Sequence, residues 1–135
     1  MANWDQAVER MKLAVPDLNL ESEDRWRIFA EGTFKSGPDG RLYPDWDPKA
    51  ITVASKSGKT LPDLWAYYKM AARRPMLAIR GSLSKILPET TFDEMKVRNP
   101  GLLQATVPNR GHAPVLDEEQ SEQAIDEFFD KIDKQ

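Results

Sequence analysis

Two stretches decide the fold: Arg74-Pro75-Met76-Leu77-Ala78-Ile79-Arg80-Gly81, and Leu102-Leu103-Gln104-Ala105-Thr106-Val107-Pro108. Met76 to Ile79 is a short continuous apolar run between Arg74-Pro75 and Arg80-Gly81, the pattern of a strand buried on both faces, and Leu102 to Val107 is a second run, ended by Pro108. Between them, Pro88 or Glu89 to about Arg98 reads as a helix halted by Asn99-Pro100-Gly101. Strand, helix and strand in this compass make a βαβ unit with two parallel neighbouring strands and a right-handed crossover. A sheet of two parallel strands is not stable by itself, so the reading leaves an open edge that must pair with something.

Upstream, Trp4, Ala7, Val8, Met11 and Val15 recur at helical spacing until Pro16. Ser22 is an N-cap for a second helix, with Glu23 and Asp24 in its first turn and Trp26, Phe29, Ala30 and Thr33 or Phe34 on its apolar face. Residues 36 to 48 combine Ser36-Gly37-Pro38-Asp39-Gly40 with Pro44-Asp45-Trp46-Asp47-Pro48, and read as a loop carrying one large aromatic. A weak helical piece near Lys49 to Ser55 and a turn at Ser57 to Thr60 follow. Leu61, Leu64, Trp65, Tyr68 and Ala72 then form a helix face, with Pro62 in its first turn. The chain closes on a helix from Asp117 whose stripe is Ile125, Phe128, Phe129 and Ile132. The expected organisation is a helical region over 1–72 and a βαβα part over 73–135, joined as one compact unit.

Composition narrows the chemistry. The 135 residues are 40% apolar and 30% charged, without cysteine and with one histidine. Thiolate metal sites, disulfides, cysteine nucleophiles and multi-histidine sites are therefore excluded, and no cofactor is expected. The net charge is −3, but Asp117 to Asp133 holds eight acids and one lysine. The remainder is weakly basic with mixed signs, too weak a field for nucleic-acid binding. No apolar run reaches the roughly 20 residues that span a bilayer, and Met1 to Asp5 lacks the pattern of a secretory leader. The expectation is a cytoplasmic protein with no membrane partner.

Three local motifs reduce to ordinary structure. Gly58-Lys59-Thr60 imitates the end of a phosphate-binding loop, but Val53 stands where its leading glycine belongs. Ser82-Leu83-Ser84-Lys85 has S-x-x-K spacing without the companion S-D-N and K-T-G elements, and reads as a polar loop after a strand. Asp45 and Asp47 flank Trp46 without further oxygen ligands nearby, and serve caps and turns. His112 differs. It lies in Pro108-Asn109-Arg110-Gly111-His112-Ala113-Pro114, just past a strand, where α/β sheets present loops to ligands.

Taken in order, these pieces resemble the C-terminal half of the α/β-hydrolase family. Lid-bearing members run from a helical lid through an arginine-proline pair leading into a strand, a G-x-x-S-D loop and a G-H-x-P turn. Here those are residues up to about 72, Arg74-Pro75, Gly81-Ser82-Leu83-Ser84-Lys85 and Gly111-His112-Ala113-Pro114. The resemblance implies a partial α/β-hydrolase fold: a lid-like helical segment, a two-stranded parallel βαβ unit and a C-terminal helix. It makes His112 the catalytic base and Trp4, Trp26, Trp46 and Trp65 candidates to line a pocket. Two departures accompany it. No serine has glycine both two residues before and two after it, as the nucleophile elbow requires, and Lys85 occupies the acid position. A lysine cannot accept the histidine N–H, and its charge disfavours an imidazolium. The resemblance thus implies a module inactive alone and hydrolytic only when completed by a nucleophile-bearing N-terminal half. The alternative is a non-catalytic interaction module that dimerises or recruits a partner through its open strand edge. A third reading is a stand-alone hydrolase using Ser82 and Lys85.

Overall fold

A computed structural model describes residues 1–47 and 63–134. The helical piece at Lys49 to Ser55, the turn at Ser57 to Thr60, and Leu61 and Pro62 lie outside the described residues. The chain forms two units. One comprises Met1–Pro16 and the chain from Leu20; the other comprises Asp17–Asn19 and the described residues from Asp63 onward.

In the first unit, α1 (Trp4–Ala14) begins where the Asn3 side chain accepts the Gln6 N–H at 3.0 Å. Helix α2 (Glu23–Thr33) begins at the expected cap, Ser22, which accepts from the Arg25 N–H. Ala7, Val8 and Met11 of α1, and Trp26 and Ala30 of α2, are buried where the two helices pack. The segment read as a loop is instead a hairpin: β1 (Phe34–Ser36) pairs antiparallel with β2 (Leu42–Pro44). Its turn contains Gly40 at φ +74°, a conformation that suits glycine. Strands of three residues are too short to show alternation, which is why the turn residues dominated the sequence pattern.

In the second unit, α3 (Leu64–Ala71) starts at Asp63, which accepts the Trp65 N–H at 3.0 Å. Strand β3 (Leu77–Gly81), helix α4 (Glu89–Arg98) and strand β4 (Leu103–Val107) follow. The strands pair in parallel, from Leu77 against Leu103 to Gly81 against Val107. Phe92, Leu102 and Val107 are buried, and the Gln104 side-chain amide donates to the Phe92 carbonyl across the crossover. Helix α5 (Glu119–Asp133) lies against both strands and buries Ser121 completely.

Two features correct the sequence reading. Leu77, Ala78 and Ile79 are half-buried and not sealed on both faces. Phe129 and Leu64 are exposed although assigned to apolar stripes. Helix α3 belongs with the parallel strands, because the Tyr68 hydroxyl donates to the Met95 carbonyl at 2.8 Å and the Arg98 guanidinium lies 4.1 Å over the Trp65 ring.

Candidate functional site

Parallel pairing brings the carboxyl ends of β3 and β4 to one side of the sheet, and the two loops that leave there are joined backbone to backbone. The Ser82 N–H donates to the Val107 carbonyl at 2.8 Å, and the Leu83 N–H to the Arg110 carbonyl at 2.8 Å. The Asn109 N–H donates to Ser82 Oγ at 2.9 Å. Close approach requires Gly81: a side-chain methyl there would fall within the carbonyl oxygens of Arg110 and Gly111.

The loop of His112 is organised by one buried ion pair. Arg110 Nε lies 3.0 Å from Glu118 Oε1, both side chains being almost fully enclosed. The Arg110 guanidinium also donates to the Leu18 carbonyl at 3.2 Å and the Asn19 carbonyl at 2.6 Å. Glu118 Oε1 accepts the Val115 N–H, and Oε2 accepts the Leu116 N–H and the Ser121 hydroxyl. Leu116 has φ +69°, and its hydrogen bond to Glu118 holds this unfavourable conformation. Burial pushes the Glu118 carboxyl up; donation from Ser121, Val115 and Arg110 outweighs it and leaves the group below its ordinary pKa.

Within that frame the His112 ring is exposed, while Ser84 is buried with Oγ 3.3 Å from His112 Nδ1. Ser84 Oγ also accepts the Leu87 N–H at 3.1 Å. Lys85, in the acid position, pairs with Asp17 at 2.6 Å with its side chain 81% exposed. Asp17 is also the residue on which Gly111 closes, since a methyl on Gly111 would meet the Asp17 Cβ at 2.9 Å.

Of the residues singled out in the sequence, Lys85 and His112 lie on the two joined loops. Each of the four tryptophans has its own surroundings. Trp26 is buried edge-on to Phe29, Trp4 lies under the Arg27 guanidinium at 5.0 Å, and Trp46 is half exposed. Trp65 lines a groove of ≈ 490 Å³ with Tyr68, Lys69, Arg73 and Arg98, and His112 is not part of that lining. Ser82 accepts from Asn109 and Lys85 is paired with Asp17, so each half of the Ser82–Lys85 reading has another partner. Ser84 is the residue that sequence reasoning passed over. Its signal was its place as the serine of the G-x-x-S-D pattern, one residue before the acid position and inside the S-x-x-K stretch. Among the described residues, no group of three or more His, Asp or Glu side chains is placed to hold a metal ion.

No family model and no curated protein matches the chain. Solved structures do. An α/β hydrolase from Novosphingobium aromaticivorans DSM 12444 is similar over 97% of this chain and 47% of its own, with 28% identity and a TM-score of 0.84. This chain carries a partial α/β-hydrolase fold. A Rickettsia typhi protein described as a hydrolase matches 97% of this hydrolase-fold chain and 44% of its own, at 21% identity and TM-score 0.77. E-2-(acetamidomethylene)succinate hydrolase matches 96% and 46%, at 23% identity and TM-score 0.71. The hydrolase-fold chain thus spans less than half the length of these structures, and it resembles a C-terminal half. No described helix is long and apolar enough to cross a membrane.

Proposed function

We propose that these residues form the C-terminal module of an α/β-hydrolase-like protein, inactive alone, whose His112 becomes a catalytic base only when a nucleophile-bearing half completes the site. The observation that carries the reading is the pair of joined loops at the carboxyl ends of β3 and β4. They carry an exposed His112 with Nδ1 beside Ser84, while the residue in the acid position, Lys85, pairs with Asp17. A histidine without a carboxylate and without a serine nucleophile has the scaffold of the triad and not its chemistry. The substrate class that fits such an assembled site is a small hydrophobic ester or related acyl compound. The setting is the cytoplasm.

A second reading has its own support. Leu77 to Ile79 are only half-buried, and β4 is the sole strand paired with β3 among the described residues. An unpaired strand edge is a template for another chain, so association of two copies or capture of a partner without turnover is the alternative.

One set of measurements separates them. The 135-residue chain is assayed with p-nitrophenyl acetate, alone and co-expressed with the N-terminal half of the Novosphingobium hydrolase, and its mass is followed by sedimentation at several concentrations. The hydrolase reading expects no turnover alone and turnover in the complemented pair that His112→Ala abolishes. Concentration-dependent dimerisation with no turnover in either case favours the interaction module. Turnover by the chain alone, with Ser82 labelled by a serine-directed phosphonate, overturns both.

A further inference from the structure

We infer that Ser84 holds the neutral His112 ring in the Nε2–H form, so that Nε2, the ring nitrogen not facing Ser84, is a hydrogen-bond donor and not a base. The argument is an accounting of one hydroxyl. Ser84 is buried, and among the described residues its Oγ has two partners, the Leu87 N–H at 3.1 Å and His112 Nδ1 at 3.3 Å. The Leu87 N–H can only donate, so it uses a lone pair of Oγ. The hydroxyl proton then requires an acceptor, because a buried polar hydrogen left without one loses its hydration with nothing in return. His112 Nδ1 supplies that acceptor only when it carries no proton. A neutral imidazole has one N–H, which must then reside on Nε2.

A carboxylate beside the same nitrogen would impose the opposite arrangement. Acceptor-only, it demands Nδ1–H and leaves Nε2 with a free lone pair for taking a proton from a nucleophile. The present loop offers a hydroxyl at that place, and the adjacent ammonium of Lys85 has no lone pair to contribute. The Nε2–H is therefore suited to a ligand that presents an acceptor oxygen, such as a carbonyl or carboxylate. Ser84 is a positioning residue, acting on any ligand only through the ring. This inference concerns the chain itself and does not depend on a completing half. If such a half binds, the ring must exchange its proton from Nε2 to Nδ1 before it can serve as a base.

Because His112 is the only histidine, the test is unambiguous. The full chain is labelled with ¹⁵N-histidine, and two-bond ¹⁵N–¹H spectra are recorded at a pH where the ring is neutral. The expected wild-type pattern is that of one tautomer, with a bare Nδ1 and a protonated Nε2. In Ser84→Ala the two nitrogen shifts should move toward the averaged values of a free imidazole in water, and Ser84→Thr, which keeps the hydroxyl, should restore the wild-type pattern. A wild-type spectrum with a protonated Nδ1 overturns the inference whether or not either variant folds. So does a folded Ser84→Ala whose pattern equals that of wild type.

Discussion

Arg110 and Glu118, eight residues apart in sequence, close the loop of His112 with a buried ion pair at 3.0 Å. The pair does more than attract. Glu118 fixes the backbone of Val115 and Leu116, and Arg110 reaches back to the carbonyls of Leu18 and Asn19. Removing one partner leaves the other buried charge without its counter-charge, which costs about 3–5 kcal/mol. We expect Glu118→Ala to lower stability by that amount in urea denaturation, and Arg110→Met with Glu118→Leu to lose less than Glu118→Ala. A loss below about 1 kcal/mol for Glu118→Ala would show that the loop is held by other means.

The same carboxyl sets an acid limit. Its folded pKa lies below its ordinary value, so its contribution is fully present above the unfolded value of about 4.3 and is lost as pH falls through the folded one. Urea midpoints should fall on acidification below about pH 4.3. Glu118→Gln should be less stable at neutral pH and show a shallower acid dependence. Equal acid slopes in the two proteins would assign the effect to other carboxylates.

Much of this architecture was legible because its signals are local. Ser22 before an apolar-periodic run marked the start of α2, and Asn99-Pro100-Gly101 marked the end of α4. The two β-rich runs were long enough to predict β3, β4 and their parallel pairing, and hence the side of the sheet on which His112 stands. The hairpin at Phe34 to Pro44 was not legible, since three-residue strands carry no period. Ser84 was not legible either. A hydroxyl becomes a partner of a ring 28 residues away only once two loops are joined, and no spacing rule encodes that meeting.

Gly81 is where the joining of those loops can be broken most directly. A methyl at this position meets backbone oxygens of Arg110 and Gly111, which cannot rotate away as a side chain would. Gly81→Ala should cost about 1–3 kcal/mol and push the loop of His112 off β3. The ¹⁵N-histidine spectrum should then change as it does in Ser84→Ala. Retention of the wild-type pattern would mean that the contact survives without the close approach.

The Lys85–Asp17 pair is a surface interaction and should behave as one. With Lys85 largely exposed, its coupling to Asp17 in a double-mutant cycle should be about 0.2–1 kcal/mol and should shrink with added salt. Lys85→Asp faces a like charge at Asp17, and adding Asp17→Lys should recover the loss. A coupling that is indifferent to salt would point to a buried contact instead.

Asp17, Leu18 and Asn19 carry a consequence of another kind. These three residues interrupt the stretch that forms the first unit, yet they belong to the second, where Asn19 donates to the Asn109 carbonyl and side chain and Arg110 grasps the Leu18 and Asn19 carbonyls. The helical region is therefore not a detachable cassette. A chimera that exchanged residues 1–62 for those of another protein would replace the tripeptide as well, and with it the two carbonyls that Arg110 grasps beside Glu118. Recombination that preserved both units would have to carry Asp17–Asn19 across unchanged, tying the inheritance of one unit to the anchoring of the other.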